Sequence, residues 1–269
     1  MNSLRLAALS LSVLLLGFGA RPVPAAPLPT PTELAATLKE EQVTVVEPHL
    51  SKAGKPVRRS YRGYPARALL DQLLGKGWLS ADTEIEFRAL DGYVSRVPTQ
   101  RFARYKAWLV FARADGGPFE VDNLAQQEKA VPLGPFYLVW DNVGHPELIK
   151  EGGSVWPYQV AQLRLTPSSR TALLPPGLVG DFKAQAALAQ QYCLSCHQIN
   201  GYGGDKMPLN LAERARLLDA PSWRQWLISP QSLRPGTAMP ALPDSLPLAE
   251  RERITRQLHE YLRALPLKP

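Results

Sequence analysis

The sequence predicts two domains of different class: a mostly β (α+β) domain over residues 40–166 and an all-α domain over 181–269. Three observations carry this. Short β-branched and aromatic runs, several alternating polar with apolar, recur from Val43 to Leu165. After Asp181 the apolar residues recur at helical spacing instead. Between the two, Pro167 to Gly180 contains Ser168-Ser169 and Pro175-Pro176 and reads as a linker.

Taken in order, the chain opens with the layout of an export signal. Arg5 supplies the positive charge, Leu6 to Ala20 is apolar, and Val23-Pro24-Ala25 offers small residues for cleavage after Ala25. The apolar run is short for a bilayer span, so no membrane span is expected in the mature chain and a periplasmic location is. Residues 26–39, with the proline- and alanine-rich run up to Pro31, read as an extended tether.

Val43 to Val46 and Val57 to Tyr61 are strand-like, separated by a turn at Ala53-Gly54-Lys55. Tyr64 to Leu74 has helical spacing in Ala66, Leu69, Leu70, Leu73 and Leu74, and Gly75 and Gly77 end it. Glu84 to Leu90 alternates polar and apolar, which predicts one buried and one wet face; Asp91-Gly92 turns the chain and Tyr93 to Val97 returns. Ala107 to Ala112 and Phe136 to Trp140 suit buried strands, Tyr158 to Leu165 alternates again, and Asp115 to Pro118 and Val143 to Gly153 read as loops. In the second half, Asp181 can cap a helix to about Tyr192. Asn210 to Leu218, Pro221 to Ile228 and Pro247 to Leu265 follow, the last with Ile254, Leu258, Tyr261, Leu262 and Leu265 on one stripe.

The 269 residues are 45% hydrophobic and 20% charged, enough apolar content for a real core. The formal charge of +7 is spread without a long basic run or interleaved aromatics, which argues against nucleic acid as a partner.

The chemistry concentrates at Cys193-Leu194-Ser195-Cys196-His197. These are the only two cysteines of the chain, and C-x-x-C-H is the attachment signature for c-type haem. Two thiols at this spacing can bond two vinyl carbons of one porphyrin, and the following imidazole is placed at the iron. The adjacent histidine and the lack of a second cysteine pair argue against a redox dithiol or half of a zinc site. Candidates for the opposite axial position are Met239, in the proline-bounded loop Pro235 to Pro240, then Met207 and His259. His259 falls off the apolar stripe of the last helix and reads as a solvated surface histidine. Trp223 and Trp226 read as core rather than as electron relays.

Residues from about Val179 to Leu265 resemble class I c-type cytochromes in Cys193, Cys196 and His197, the Gly203-Gly204 turn, Met207-Pro208-Leu209, Pro235 to Pro240 and the apolar last helix. The resemblance implies a small helical domain of cytochrome c fold around one covalent haem c, with His197 and Met239 as axial ligands. It also implies that the Pro208 carbonyl accepts the hydrogen bond from the other nitrogen of His197. Met207 stands where the family usually has glycine.

In the first half, Ala89-Leu90-Asp91-Gly92-Tyr93, Gly134 to Trp140 and Trp156 to Leu163 resemble the sulfite-oxidase-type molybdopterin-binding fold over roughly Val43 to Leu165. That family holds its molybdenum through a cysteine thiolate, and no cysteine occurs between Met1 and Tyr192. The expectation is a reduced relative without a molybdenum cofactor, able to bind a pterin or another small molecule or to serve as a docking surface. Arg58, Arg59, Arg62, Arg67, Arg101 and Arg104 read as solvated, and His49 and His145 as surface or loop residues.

The function expected from all this is one-electron transfer by a periplasmic monohaem c-type cytochrome, its first domain selecting a redox partner protein. No acid–base pair, nucleophile constellation or metal cluster marks the first half as catalytic. The alternatives are a haem-containing subunit of a periplasmic oxidoreductase and a pterin- or ligand-binding redox sensor. Oligomeric state is not legible.

Overall fold

Glu84-Ile85-Glu86-Phe87-Arg88 forms the middle of strand β4 (Thr83–Ala89), and the first sheet is built around it. The structure is a computed structural model describing residues 26–51, 55–124, 126, 128–153, 155–168, 172–243 and 246–267. The export signal expected over 1–25, and part of the turn expected at 53–55, lie outside these residues.

The first sheet has the order β1 (Ala26–Pro27), β10 (Val160–Pro167), β4, β5 (Val94–Pro98), antiparallel throughout. Asp91-Gly92 joins β4 to β5, and Gly92 supplies the positive φ of +84° that the turn needs. The second sheet has the order β2 (Glu41–Val46), β3 (Arg58–Pro65), β6 (Ala107–Arg113), β9 (Tyr137–Trp140). A separate hairpin pairs β7 (Glu120–Asn123) with β8 (Glu128–Pro132). Helix α2 (Ala66–Leu74) buries Ala66, Leu69 and Leu70, as its spacing predicts, and α3 (Thr99–Arg104) buries Phe102. The core of this part is strongly aromatic: Tyr61, Tyr64, Phe87, Phe102, Trp140 and Trp156 are buried in it.

A second core lies in the C-terminal part. Helices α4 (Lys183–Tyr192), α5 (Leu211–Leu217), α6 (Ala220–Ile228) and α7 (Pro230–Leu233) precede α8 (Leu248–Ala264). The stripe Ile254, Leu258, Tyr261 and Leu262 of α8, with Leu265 just beyond it, is buried in this core. Each such side chain contributes about 1.5–3 kcal/mol by leaving water. Asn210 and Asp219 cap α5 and α6 through their side chains.

The division into a mostly β, sulfite-oxidase-type half and an all-α, cytochrome c half is corrected. The chain is a mixed α/β protein with several sheets, and its C-terminal part is not all-α. Directly after Cys193–His197 the chain forms a hairpin of β11 (Gln198–Ile199) and β12 (Tyr202–Gly203), and Gln198 also bridges to Asn210. The cause is local: Asn200 and Gly201 take φ values of +50° and +84°, the two left-handed residues of a tight hairpin turn.

Three further expectations are corrected. The segment 26–39 is not a tether: β1 pairs with β10, and α1 (Pro31–Leu34) carries a complete Thr30/Glu33 capping box and a buried Leu34. The linker is partly core, since Ala172 and Leu173 are buried and the Tyr261 hydroxyl donates to the Leu173 carbonyl at 2.6 Å. The loop 143–153 contains a 3-10 turn, Pro146–Glu151.

Candidate functional site

The turn that follows α4 carries Cys193, Leu194, Ser195, Cys196 and His197. Its backbone is tightly wound: the His197 amide donates to the Cys193 carbonyl at 3.0 Å and the Cys196 amide to the same oxygen at 3.3 Å. Both cysteines are free thiols. Burial pushes their thiols up, that of Cys193 to about 12 and that of Cys196 to about 11, and each neighbouring charge acts second to it. Burial likewise lowers the His197 imidazole, so it is neutral at pH 7.

The hydrogen bond that orients His197 comes from Met207, not Pro208. Nδ1 lies 2.9 Å from the Met207 carbonyl, and with that acceptor Nδ1 carries the proton and Nε2 keeps its lone pair. The Met207 amide in turn donates to the Cys196 carbonyl at 2.9 Å. These two bonds fix the carbonyl one residue earlier than the family pattern implies. Two glycines make the approach possible. A Cβ on Gly203 would stand 2.0 Å from the His197 carbonyl oxygen, and one on Gly204 would stand 2.0 Å from that of Ser195. Neutral imidazole with a free Nε2, two free thiols at the right spacing and a backbone cradle that excludes side chains fit the donor set of a covalently held haem.

Met239 is half-buried against the second core, with its amide bonded to the Thr237 hydroxyl at 3.2 Å. Met207 is 47% exposed. Its carbonyl sits behind the imidazole, on the side away from Nε2. His259 is corrected from a solvated residue to a buried one. Its Nε2 faces the Ala215 and Leu218 carbonyls at 3.0 and 3.2 Å and its ring stacks on Trp223. The end of α5 needs donors for its last carbonyls, and His259 supplies one. Trp223 is buried and donates to the Thr255 carbonyl at 3.0 Å.

The expected wet face of β4 is also corrected. Glu84 and Glu86 are 1% and 0% exposed. Their face is covered by the segment that follows His197. Tyr202 donates to Glu84 at 3.1 Å. Burial would raise the Glu86 carboxyl, but Arg96, Arg88 and Arg164 outweigh it and hold the group below the usual carboxylate range. The Val94 amide donates to the Ser195 carbonyl at 3.0 Å, the Asp205 amide to the Gly92 carbonyl at 3.1 Å, and Lys206 pairs with Asp91 at 2.6 Å. The sequence signal for this was available in Asn200-Gly201, the residue pair most typical of a two-residue hairpin.

Of the arginines expected to be solvated, Arg58, Arg62, Arg67 and Arg104 are exposed. Arg101 is not: it pairs with Glu151 at 2.7 Å and lies over Trp140, 4.6 Å from the ring centroid. A cavity of about 410 Å³ opens beside it between β5, α3 and α4, lined by Arg96, Arg101, Gln190, Leu194, Ser195 and Tyr202 among others. His145 pairs with Glu147 at 3.4 Å. His49 belongs to a polar cluster that sequence reasoning missed. Buried Glu47 accepts from the hydroxyls of Tyr61 at 2.6 Å and Tyr137 at 2.9 Å, and His49 packs on Tyr137 and Tyr158. The three tyrosines sit on different strands and a loop, so no local pattern joins them.

No protein-family model matches the chain, and a search of curated proteins finds no match. Among the described residues no helix is long and apolar enough to cross a membrane, and no group of three or more His, Cys, Asp or Glu gathers as a metal site.

Proposed function

We propose that the chain is a c-type haem protein that carries single electrons between protein partners in the periplasm. The observation that carries the reading is the placement of His197: held at Nδ1 by the Met207 carbonyl, with Nε2 left as a ligand directly after two free thiols. Haem, once bound, would supply a one-electron couple. Cys193 and Cys196 would hold it covalently, and His197 and Met239, the latter in its loop against the second core, would be the iron ligands. The first two sheets would then serve to support this site and to present a surface to the partner.

The test is direct. Purified protein from a host competent for cytochrome maturation should keep haem through denaturing electrophoresis, with the intact mass raised by one haem. Cys193→Ala with Cys196→Ala should abolish this. A colourless wild-type protein from such a host would end the reading.

One observation favours a second reading, a ligand-reporting redox protein: the cavity is shared between the first sheet and Leu194 and Ser195 of the haem-attachment turn. Added reduced pterin should then change the haem absorption spectrum at fixed potential. An unchanged spectrum leaves the electron carrier.

A further inference from the structure

We propose that Glu86 is a positioning residue for His197, because the first sheet, through Arg88 and Arg96, grips the loop whose Met207 carbonyl orients the imidazole. This deepens the haem reading and rests on it.

Register builds the cluster. Glu86 on β4 stands directly opposite Arg96 on β5 and Arg164 on β10, and Arg88 follows it two residues along the same strand. All three guanidiniums reach the fully buried carboxylate, Arg88 at 2.6 Å, Arg96 at 2.8 Å and Arg164 at 3.0 Å. Two of them do more than neutralise it. Arg96 forks, giving one nitrogen to Glu86 and the other to the Gly203 carbonyl at 2.6 Å. Its guanidinium also lies over the Tyr202 ring, 4.7 Å from the centroid. Arg88 forks the same way, from Glu86 to Asp205 at 2.6 Å.

Gly203 and Asp205 lie on either side of the chain's return toward His197. From Asp205 it is two residues to Met207, whose amide holds Cys196 and whose carbonyl holds His197. One buried carboxylate thus anchors two planar forks, and the forks fix both ends of the Gly203 to Asp205 segment. A fork of fixed geometry fits this role where a single ammonium does not, because it bonds two acceptors in one orientation. The partner of a ligating histidine sets its ring orientation and basicity, so anything that moves the Met207 carbonyl moves the ligand field.

The variant that separates geometry from charge is Arg96→Lys, made in the full haem-loaded chain. It keeps the positive charge and loses the planar two-nitrogen fork that spans Glu86 and Gly203. Arg62→Lys, at an exposed pair with Glu40, is the control. The readouts are amide hydrogen exchange at Asp205 and Met207 and the electron paramagnetic resonance spectrum of the oxidised protein. Arg96→Lys should speed exchange at those two amides about tenfold and shift the spectrum, with Arg62→Lys doing neither. Glu86→Gln should act in the same direction; should it fail to fold, Arg88→Lys takes its place. Exchange within about twofold of wild type in Arg96→Lys, with an unchanged spectrum, would overturn the proposal. So would acceleration spread evenly over both four-stranded sheets, which marks general destabilisation. A chain that carries no haem defeats the haem reading alone, since the exchange measurement still decides whether the sheet holds the loop.

Discussion

The ring of His259 stacks on Trp223 with centroids 5.5 Å apart and planes 21° from parallel, while its Nε2 faces two carbonyls at the end of α5. Both faces of its role are structural. His259→Ala should therefore lower stability by about 1–3 kcal/mol, because the Leu218 carbonyl loses its side-chain donor and the Ala215 carbonyl keeps only the 3.5 Å contact from Arg263. It should leave the haem absorption spectrum intact. Urea unfolding and a visible spectrum check the two halves.

Met239 and Met207 separate by a different observable. A thioether bound to low-spin ferric haem gives a weak sulfur-to-iron charge-transfer band. The band should be absent in Met239→Ala and present in Met207→Ala, whose backbone rather than side chain serves the imidazole. The reverse pattern would reassign the ligand.

Gly203 and Gly204 should tolerate no side chain. Gly203→Ala and Gly204→Ala each drive a Cβ to 2.0 Å from a carbonyl oxygen, against backbone that is itself hydrogen-bonded. Losses of about 3 kcal/mol or more are expected, with a reduced haem-to-protein ratio. Gly116→Ala separates clash from conformation: its φ is +73° with nothing within 4 Å, so only about 1–2 kcal/mol should be lost. Thermal midpoints of the three variants decide it.

His49 should make stability depend on pH in one direction. Burial lowers its imidazole below the ordinary 6.5, with Glu47 and the Trp156 backbone opposing. Its Nε2 is closed off from solvent with no partner among the described residues. As pH falls below about 6.5 the unfolded chain takes up a proton that the folded ring refuses, so stability declines and then levels once the folded ring also titrates. The slope from this residue is at most about 1.4 kcal/mol per pH unit. Urea unfolding of wild type and His49→Gln between pH 7.5 and pH 5 should show a shallower decline in the variant.

How legible was this molecule? Periodicity located α2, α4, α8 and most strands, because each of those elements buries one face against a core. It could not assign the second face of β4. Glu84 and Glu86 alternate with Ile85 and Phe87 as on a wet-sided strand, and only the distant Arg164 and Tyr202 reveal that the polar face is covered. Proline-rich composition suggested a tether over 26–39, but a capping box and one buried leucine suffice to order α1. The turn at Cys193–His197 stood out from five consecutive residues. Its orienting carbonyl was displaced by one position, since that depends on how the hairpin at Asn200-Gly201 returns the chain.

The register of the first sheet has a consequence for folding. Slipping β4 by one residue would set Glu86 opposite Leu163 or Leu165 on one side and Ser95 or Val97 on the other. A carboxylate set among leucines, with Arg96 and Arg164 turned to the opposite surface and only Arg88 still beside it, makes a misaligned pairing expensive. The same side chain that steadies a distant imidazole thereby also disfavours mispaired strands.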